Sequence, residues 1–275
     1  MPWTRIISAV IAIPLALGSI ALGGWAFTAV FSILIGLGQW EYFQLAKAKG
    51  TIPAVKTTMA VSQILLFTSQ LRVEYADAVL PIAGTFICFY LLFQPKFATI
   101  ADISASILGL FYGGYLPSFW IRLRGLHQHD SYLFGLDQGG IYVLLAFCCI
   151  WASDIGAYSM GKLIGRTRLS DISPKKTVEG AAFGLVSCVA VALAGAWYLQ
   201  WQFWWLTGGV LGLLIGIASL LGDLTESMMK RDAGVKDSGQ IMPGHGGIMD
   251  RADSYVFTAP LIYYYITLIL LRLPA

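Results

Sequence analysis

Residues 203–221, FWWLTGGVLGLLIGIASLL, carry no charge, and the chain then runs directly into GDLTESMMKRDAGVKDSGQIMPGHGGIMDRADS, residues 222–254. The first stretch has the length and apolarity of a helix crossing a bilayer core, which takes about 20 residues. The second places ten charged residues between positions 222 and 253. An uncharged span opening into a charged insert points to a helical membrane protein that keeps its polar groups at the membrane surface.

The rest of the chain agrees with that reading. Of 275 residues, 57% are apolar and 12% are charged, whereas a soluble domain carries about 25% charged residues. Seventeen of the 33 charges fall in just two segments, 162–180 and 222–253. So little charge cannot cover a water-soluble globule. Soluble enzymes, disordered chains and disulfide-stapled domains are excluded.

The same length criterion predicts nine spans, near 6–22, 24–40, 57–71, 78–94, 103–121, 140–161, 181–199, 203–221 and 254–272. The third is the shortest and most polar. The opening stretch after Arg5 also has the outline of a signal peptide, but another span follows at once, so it reads as a retained first span. The expected fold is an all-α polytopic membrane protein, a single domain over residues 1–275 with polar inserts at 162–180 and 222–253. With the N-terminus in the cytoplasm, the inner segments hold 14 of the 18 basic residues, as the positive-inside rule requires. Both inserts then face the cytoplasm, as in a multi-pass protein of a bacterial plasma membrane.

Small residues recur at helical spacing, at Gly109 and Gly113, at Gly161 and Gly165, and at Gly208, Gly212 and Gly216. Such stripes let helix backbones approach closely, and the same faces suit a homodimer. Tryptophans such as Trp197, Trp201, Trp204 and Trp205 crowd near span ends, as an interfacial belt does. The four cysteines lie in apolar runs without metal-binding spacing. A net charge of +3, with no basic cluster interleaved with aromatics, gives no footprint for nucleic acid.

Within the second insert, Asp223, Glu226, Ser227 and Lys230 share one helical face. The glycine-rich run 243–247, containing His245, must be a tight loop. Asp250 and Asp253 stand one helical turn apart where the chain re-enters the membrane. Carboxylates are hard oxygen ligands suited to Mg²⁺, and Lys230, Arg231, Lys236 and Arg251 suit phosphate oxygens. Acids and bases together in one insert describe a metal–polyphosphate site.

Asp154 lies inside the sixth predicted span, where an ionisable group costs at least about 2.5–3.5 kcal/mol on insertion scales and marks function. In the first insert, Ser173, Lys175, Lys176 and Thr177 precede the seventh span, an arrangement able to hold phosphates at a helix N-terminus or simply to meet anionic lipid heads. His245 either donates to a phosphate or pins its loop. His127 and His129 read as surface residues of an outer loop, 122–139, that has no assigned role.

Ser227 to Arg231, Lys236 to Gly239 and Pro243 to Asp253 together resemble the C-terminal motif of the phosphatidate cytidylyltransferases, or CDP-diacylglycerol synthases. Gly222 to Ser227, Asp154 to Tyr158 and Ser173 to Gly180 resemble the same family in the expected order. Met242 and Ala252 depart from it only at packing positions. The resemblance implies transfer of CMP from CTP to phosphatidic acid, giving CDP-diacylglycerol and pyrophosphate, with Mg²⁺ and room for a second cation. It implies that Asp223 and Asp250 hold the metal with Asp253 and Asp154 as further ligands or supports. Lys175, Lys176, Lys230, Arg231 and Arg251 would bind the phosphates of both substrates. Ser173, Thr177, Ser227 and His245 are candidate substrate contacts, and Lys236 and Asp237 would order the loop. Two alternatives remain at this point: a CTP-dependent kinase of a polyprenol or phytol, whose family is similar, and an ion-coupled transporter, which Asp154 and glycine-broken helices also suit.

Overall fold

A computed structural model of the chain describes residues 2–126, 135–242 and 246–273, with side chains described at residue 10 and from residue 12 on. His127, His129 and His245 lie outside the described residues, as do positions 127–134 of the predicted outer loop 122–139 and positions 243–245. The fold is helical throughout: α1 (Pro2–Leu22), α2 (Gly24–Ala48), α3 (Val55–Leu71), α4 (Val73–Leu92), α5 (Ile100–Leu110), a π-helical turn (Phe111–Tyr115), α6 (Leu116–Arg124), α7 (Gln138–Ile164), α8 (Val178–Tyr198), α9 (Trp204–Asp232) and α10 (Met249–Leu268), which ends in a 3₁₀ turn (Leu270–Arg272). Isolated bridges pair Arg168 with Thr177 and Met242 with Gly246.

Each of the nine predicted spans falls on a helical stretch. By length and composition, five of the described helices are apolar enough to cross a membrane: Val73–Leu92, Gln138–Ile164, Val178–Tyr198, Trp204–Asp232 and Met249–Arg272. The chain divides into two compact units, one of Met1–Gly140 with Met229–Ala252, the other of Ile141–Met228 with Asp253–Ala275.

In the first unit α3 is the central helix, packed against α2, α4, α5, α6 and the π turn. Its polar residues are why the span predicted at 57–71 is the most polar of the nine. Thr58, Ser62 and Ser69 are buried, and several polar groups at its contacts bond across helices. Gln39 Nε2 donates to Ser62 Oγ at 2.8 Å and to the Gly109 carbonyl at 2.9 Å, while Thr28 Oγ1 donates to Gln70 Oε1 at 2.9 Å. A buried polar pair that satisfies itself costs far less than an unpaired group. The inserted Gln39 amide also claims a backbone acceptor where α5 gives way to the π turn, a recognised cause of such irregularities. Cβ atoms at Gly113 and Gly114 would press on Gln39 and Ser62 at 2.8 and 2.6 Å.

The second unit is a ring of four helices sealed by small residues. Gly184 of α8 abuts the Ser153 carbonyl of α7, and Gly212 of α9 abuts Val189 of α8. Gly222 of α9 meets the Asp253 carbonyl of α10, and Trp151 of α7 donates from Nε1 to Tyr255 Oη of α10 at 2.6 Å. Gly208, Gly212 and Gly216 all face α8. Those stripes are thus used for packing within the chain.

Candidate active site

The second unit gathers carboxylates from two helices. Asp223 and Glu226, one turn apart on α9, meet Asp253 of α10, and one carboxylate oxygen from each lies within 4.8 Å of the others. The meeting depends on Gly222, whose missing side chain lets α10 close in: a Cβ there would stand 2.6 Å from the Asp253 carbonyl oxygen. Glu226 is completely buried. Three like charges this close repel strongly in a low-dielectric setting and need a cation or a proton among them.

Neighbouring groups supply part of that compensation. Lys176 forms an ion pair with Asp223, Ser227 Oγ donates to Asp223 Oδ1 at 3.4 Å, and the Ser254 amide donates to Asp253 Oδ1 at 2.7 Å. Asp154 is exposed on the surface of α7.

Lys176 is delivered by the 162–180 insert, which is folded rather than loose. The Leu169 amide donates to the Lys176 carbonyl and the Val178 amide to the Thr167 carbonyl, each at 2.9 Å. Thr177 caps α8 through Oγ1, which accepts from the Gly180 amide at 3.2 Å. Ser173 accepts the Lys176 amide at its carbonyl, 3.0 Å away. Lys175 is exposed.

The first unit holds a separate polar set at the start of α10. Lys230 Nζ donates to Asp250 Oδ1 at 2.6 Å. Asp250 Oδ2 accepts the amides of Ser238 at 3.0 Å and Gly247 at 2.8 Å. Gly246 has φ +85°, a left-handed conformation that glycine adopts without strain, and its carbonyl accepts the Met242 amide at 2.9 Å. Arg231, Lys236, Asp237 and Arg251 are exposed around this loop, and Arg231 Nη1 donates to the Val235 carbonyl at 3.2 Å.

The residues expected to act together therefore fall into two sets. Asp223 and Asp253 share one cluster, and Asp250 joins Lys230 in the other. Two residues were not singled out from the sequence. Glu226 was recognised only as sharing the Asp223 face, yet it completes the carboxylate cluster. Glu41, on α2, is a buried acid that touches Ser238 and the start of α10 beside Asp250. A lone carboxylate inside an apolar stretch was the signal that could have found it.

The donor set of Asp223, Glu226 and Asp253, all carboxylate oxygens, suits a hard divalent cation such as Mg²⁺. Comparison with known proteins covers nearly the whole chain. A profile described as the Cytidylyltransferase family matches residues 3–269. The chain is 60% identical to a phosphatidate cytidylyltransferase of Synechocystis sp., across 98% of both chains. It is 39% identical to phosphatidate cytidylyltransferase 4, chloroplastic, of Arabidopsis thaliana, covering 93% of this chain and 71% of that one. The phosphatidate cytidylyltransferase of Bacillus subtilis is 31% identical over 96% of this chain and 97% of its own. With agreement running almost from end to end and including the segments that build both polar sets, the chain belongs to the cytidylyltransferase family.

Proposed function

We propose that this protein transfers CMP from CTP to phosphatidate, releasing pyrophosphate and leaving CDP-diacylglycerol in the membrane. The observation that carries the reading is the near full-length 60% identity to a phosphatidate cytidylyltransferase. The acid and base sets suit that chemistry, and no observation favours a lipid kinase or a transporter over it.

The phosphate monoester of phosphatidate is already a nucleophile near neutral pH, so no strong base is required. Its oxygen bonds to the α-phosphorus of CTP as the bond to the β-phosphate bridging oxygen breaks, and pyrophosphate leaves with that electron pair. The barrier is the approach of two anions, which catalysis must relieve by alignment and charge compensation. Lys175 and Lys176 on one insert, and Lys230, Arg231 and Arg251 on the other, would hold the phosphates in line. Ser173, Thr177, Ser227 and His245 remain candidate substrate contacts, with Lys236 and Asp237 ordering the loop.

Asp223, Glu226 and Asp253 would hold Mg²⁺, with Asp154 in support and room for a second cation. The ion, when bound, neutralises polyphosphate charge and polarises the reacting phosphate. Asp250, expected from the sequence among these ligands, engages Lys230 and the amides of Ser238 and Gly247 and would serve by holding Lys230 for a substrate phosphate. The wider setting we propose is a nine-span protein of a bacterial plasma membrane, with both inserts cytoplasmic and acyl chains entering sideways from the bilayer.

The test uses purified protein in detergent, phosphatidate, Mg²⁺ and CTP labelled separately at the α- and γ-phosphates. The expected result is α-label in the lipid and γ-label in pyrophosphate. γ-Label in the lipid, or no lipid product, would overturn the proposal.

A further inference from the structure

α2 buries a carboxylate for which the reaction above provides no role. Glu41 is 2% exposed. Its Oε2 accepts the Met249 amide at 2.8 Å and Ser238 Oγ at 3.2 Å. Met249 is the first residue of α10, so an acid from another helix satisfies an amide that the first helical turn leaves open. A negative charge at that end is also favoured by the helix dipole.

The contact leaves no slack. A Cβ at Gly239 would overlap Glu41 Oε1, and one at Gly247 would overlap both Glu41 Oε2 and Ser238 Oγ. Gly38, one turn earlier on α2, lies against Ile248 and Met249. The two motif glycines are therefore small because Glu41 is there.

Ser238 and Gly247 are also the residues whose amides Asp250 accepts. Ser238 gives its amide to Asp250 and its hydroxyl to Glu41. Gly247 gives its amide to Asp250, and a side chain on it would run into Glu41. Two carboxylates thus grip the same loop, one from within the motif and one from a helix about 200 positions earlier.

We propose that Glu41 is a positioning residue for cytidylyl transfer. It fixes Ser238 and the start of α10, these fix Asp250 Oδ2, and Asp250 Oδ1 then holds Lys230 where a substrate phosphate is bound. The role rests on the functional reading above. Loss of a partner that orients a ligand or charged group typically costs about 10–100-fold in activity. The loss here belongs in kcat, because Glu41 makes no contact with substrate in this scheme.

The experiment measures kcat and KM for CTP in wild type, E41A, E41Q and S238A, each purified in detergent and checked by thermal unfolding. E41A is expected to lose about 10–100-fold in kcat with KM for CTP within about threefold. E41Q retains an acceptor oxygen for Met249 and Ser238, and is expected to recover most of that loss. S238A removes one donor only and is expected to fall between wild type and E41A. Rescue by Gln separates positioning from bulk packing, since Gln fills the same volume. E41A or S238A at the wild-type kcat overturns the role, as does E41Q as impaired as E41A. Should E41A fail to fold, E41Q and S238A still decide the matter. A wild-type protein that puts no α-label into lipid would overturn the functional reading and this role with it, whereas an active wild type with unaffected variants overturns the role alone.

Discussion

The approach of α9 to α10 can be tested by adding one carbon. A Cβ at Gly222 would lie 2.6 Å from the Asp253 carbonyl oxygen and 3.2 Å from Phe257 Cδ2, whereas ordinary van der Waals contact begins at 3.4 Å. Phe257 can turn aside, but the carbonyl is backbone inside a helix and cannot. Gly222→Ala must therefore push the helices apart locally by about 0.8 Å, and Asp253 moves with its backbone away from Asp223 and Glu226. Misplacement on the order of 1 Å can cost about 100-fold in rate, so kcat is expected to fall about 30–100-fold. That corresponds to about 2–3 kcal/mol of transition-state stabilisation. Stability should change less, because overpacking costs about 1–3 kcal/mol and replacing a helical Gly by Ala returns about 1 kcal/mol.

The assay is α-label transfer from CTP into lipid, with thermal unfolding in the same detergent. Gly209→Ala is the matched control. It lies on the same helix, where the nearest atom to an added Cβ is 3.9 Å away, so activity should be unchanged and stability equal or higher. A folded Gly222→Ala protein with the wild-type kcat would refute the claim that this close approach sets the carboxylate geometry.

Two further predictions concern single acids. Glu226→Gln is expected to raise the Mg²⁺ concentration for half-maximal activity at least about 10-fold, while relieving repulsion so that the protein unfolds at a higher temperature than wild type in chelator; an unchanged Mg²⁺ titration would remove Glu226 from the ligand set. Asp102 accepts the amides of Ile52 at 2.5 Å and Thr99 at 2.8 Å, and these bonds, Ile52 first, hold its carboxyl below the ordinary aspartate range. A lowered folded-state value stabilises the protein above the unfolded pKa of about 3.9, and that contribution disappears as pH falls through the lower folded value. Asp102→Asn should therefore lower the unfolding temperature at pH 7, by an amount equivalent to about 1.5–3 kcal/mol, and the gap to wild type should close below about pH 4. A gap that persists undiminished in acid would show that the charge of Asp102 is not what stabilises the 49–54 connection.

How much of the fold could be read in advance depended on where each helix hides its polar groups. α7, α8, α9 and α10 are apolar over long windows, and composition alone identifies them. α3 carries Thr58, Ser62, Gln63, Ser69 and Gln70, and a hydropathy average penalises all five alike. In the structure Ser62 meets Gln39, Gln63 Nε2 reaches the Ser32 carbonyl at 3.2 Å, and Gln70 meets Thr28. Whether a polar residue weakens a helix or binds it to its neighbour depends on a partner 23 to 42 positions away. An average over one segment has no access to that partner.

The site was legible in residue types and not in pairing. Acids and bases are visibly interleaved between 222 and 253, but adjacency in that insert does not identify partners. Asp223 pairs with Lys176 from the other insert, and Asp232 with Lys49 at the end of α2, 3.1 Å away. Lys230 and Asp250 do pair within the insert itself. Asp250 and Asp253, one turn apart, appear equivalent on a helical projection. They differ because Asp250 stands in the first turn of α10, within reach of the amides of an incoming loop, whereas Asp253 stands one turn on, opposite the gap left by Gly222. The glycines carried the missing information. Gly222, Gly239 and Gly247 each mark a place where another element comes too close for a side chain, and the groups found there are the Asp253 backbone at the first and the Glu41 carboxylate at the other two. In a chain rich in glycine, the informative ones are those beside charge, because backbone or carboxylate must approach closely there to complete a polar set.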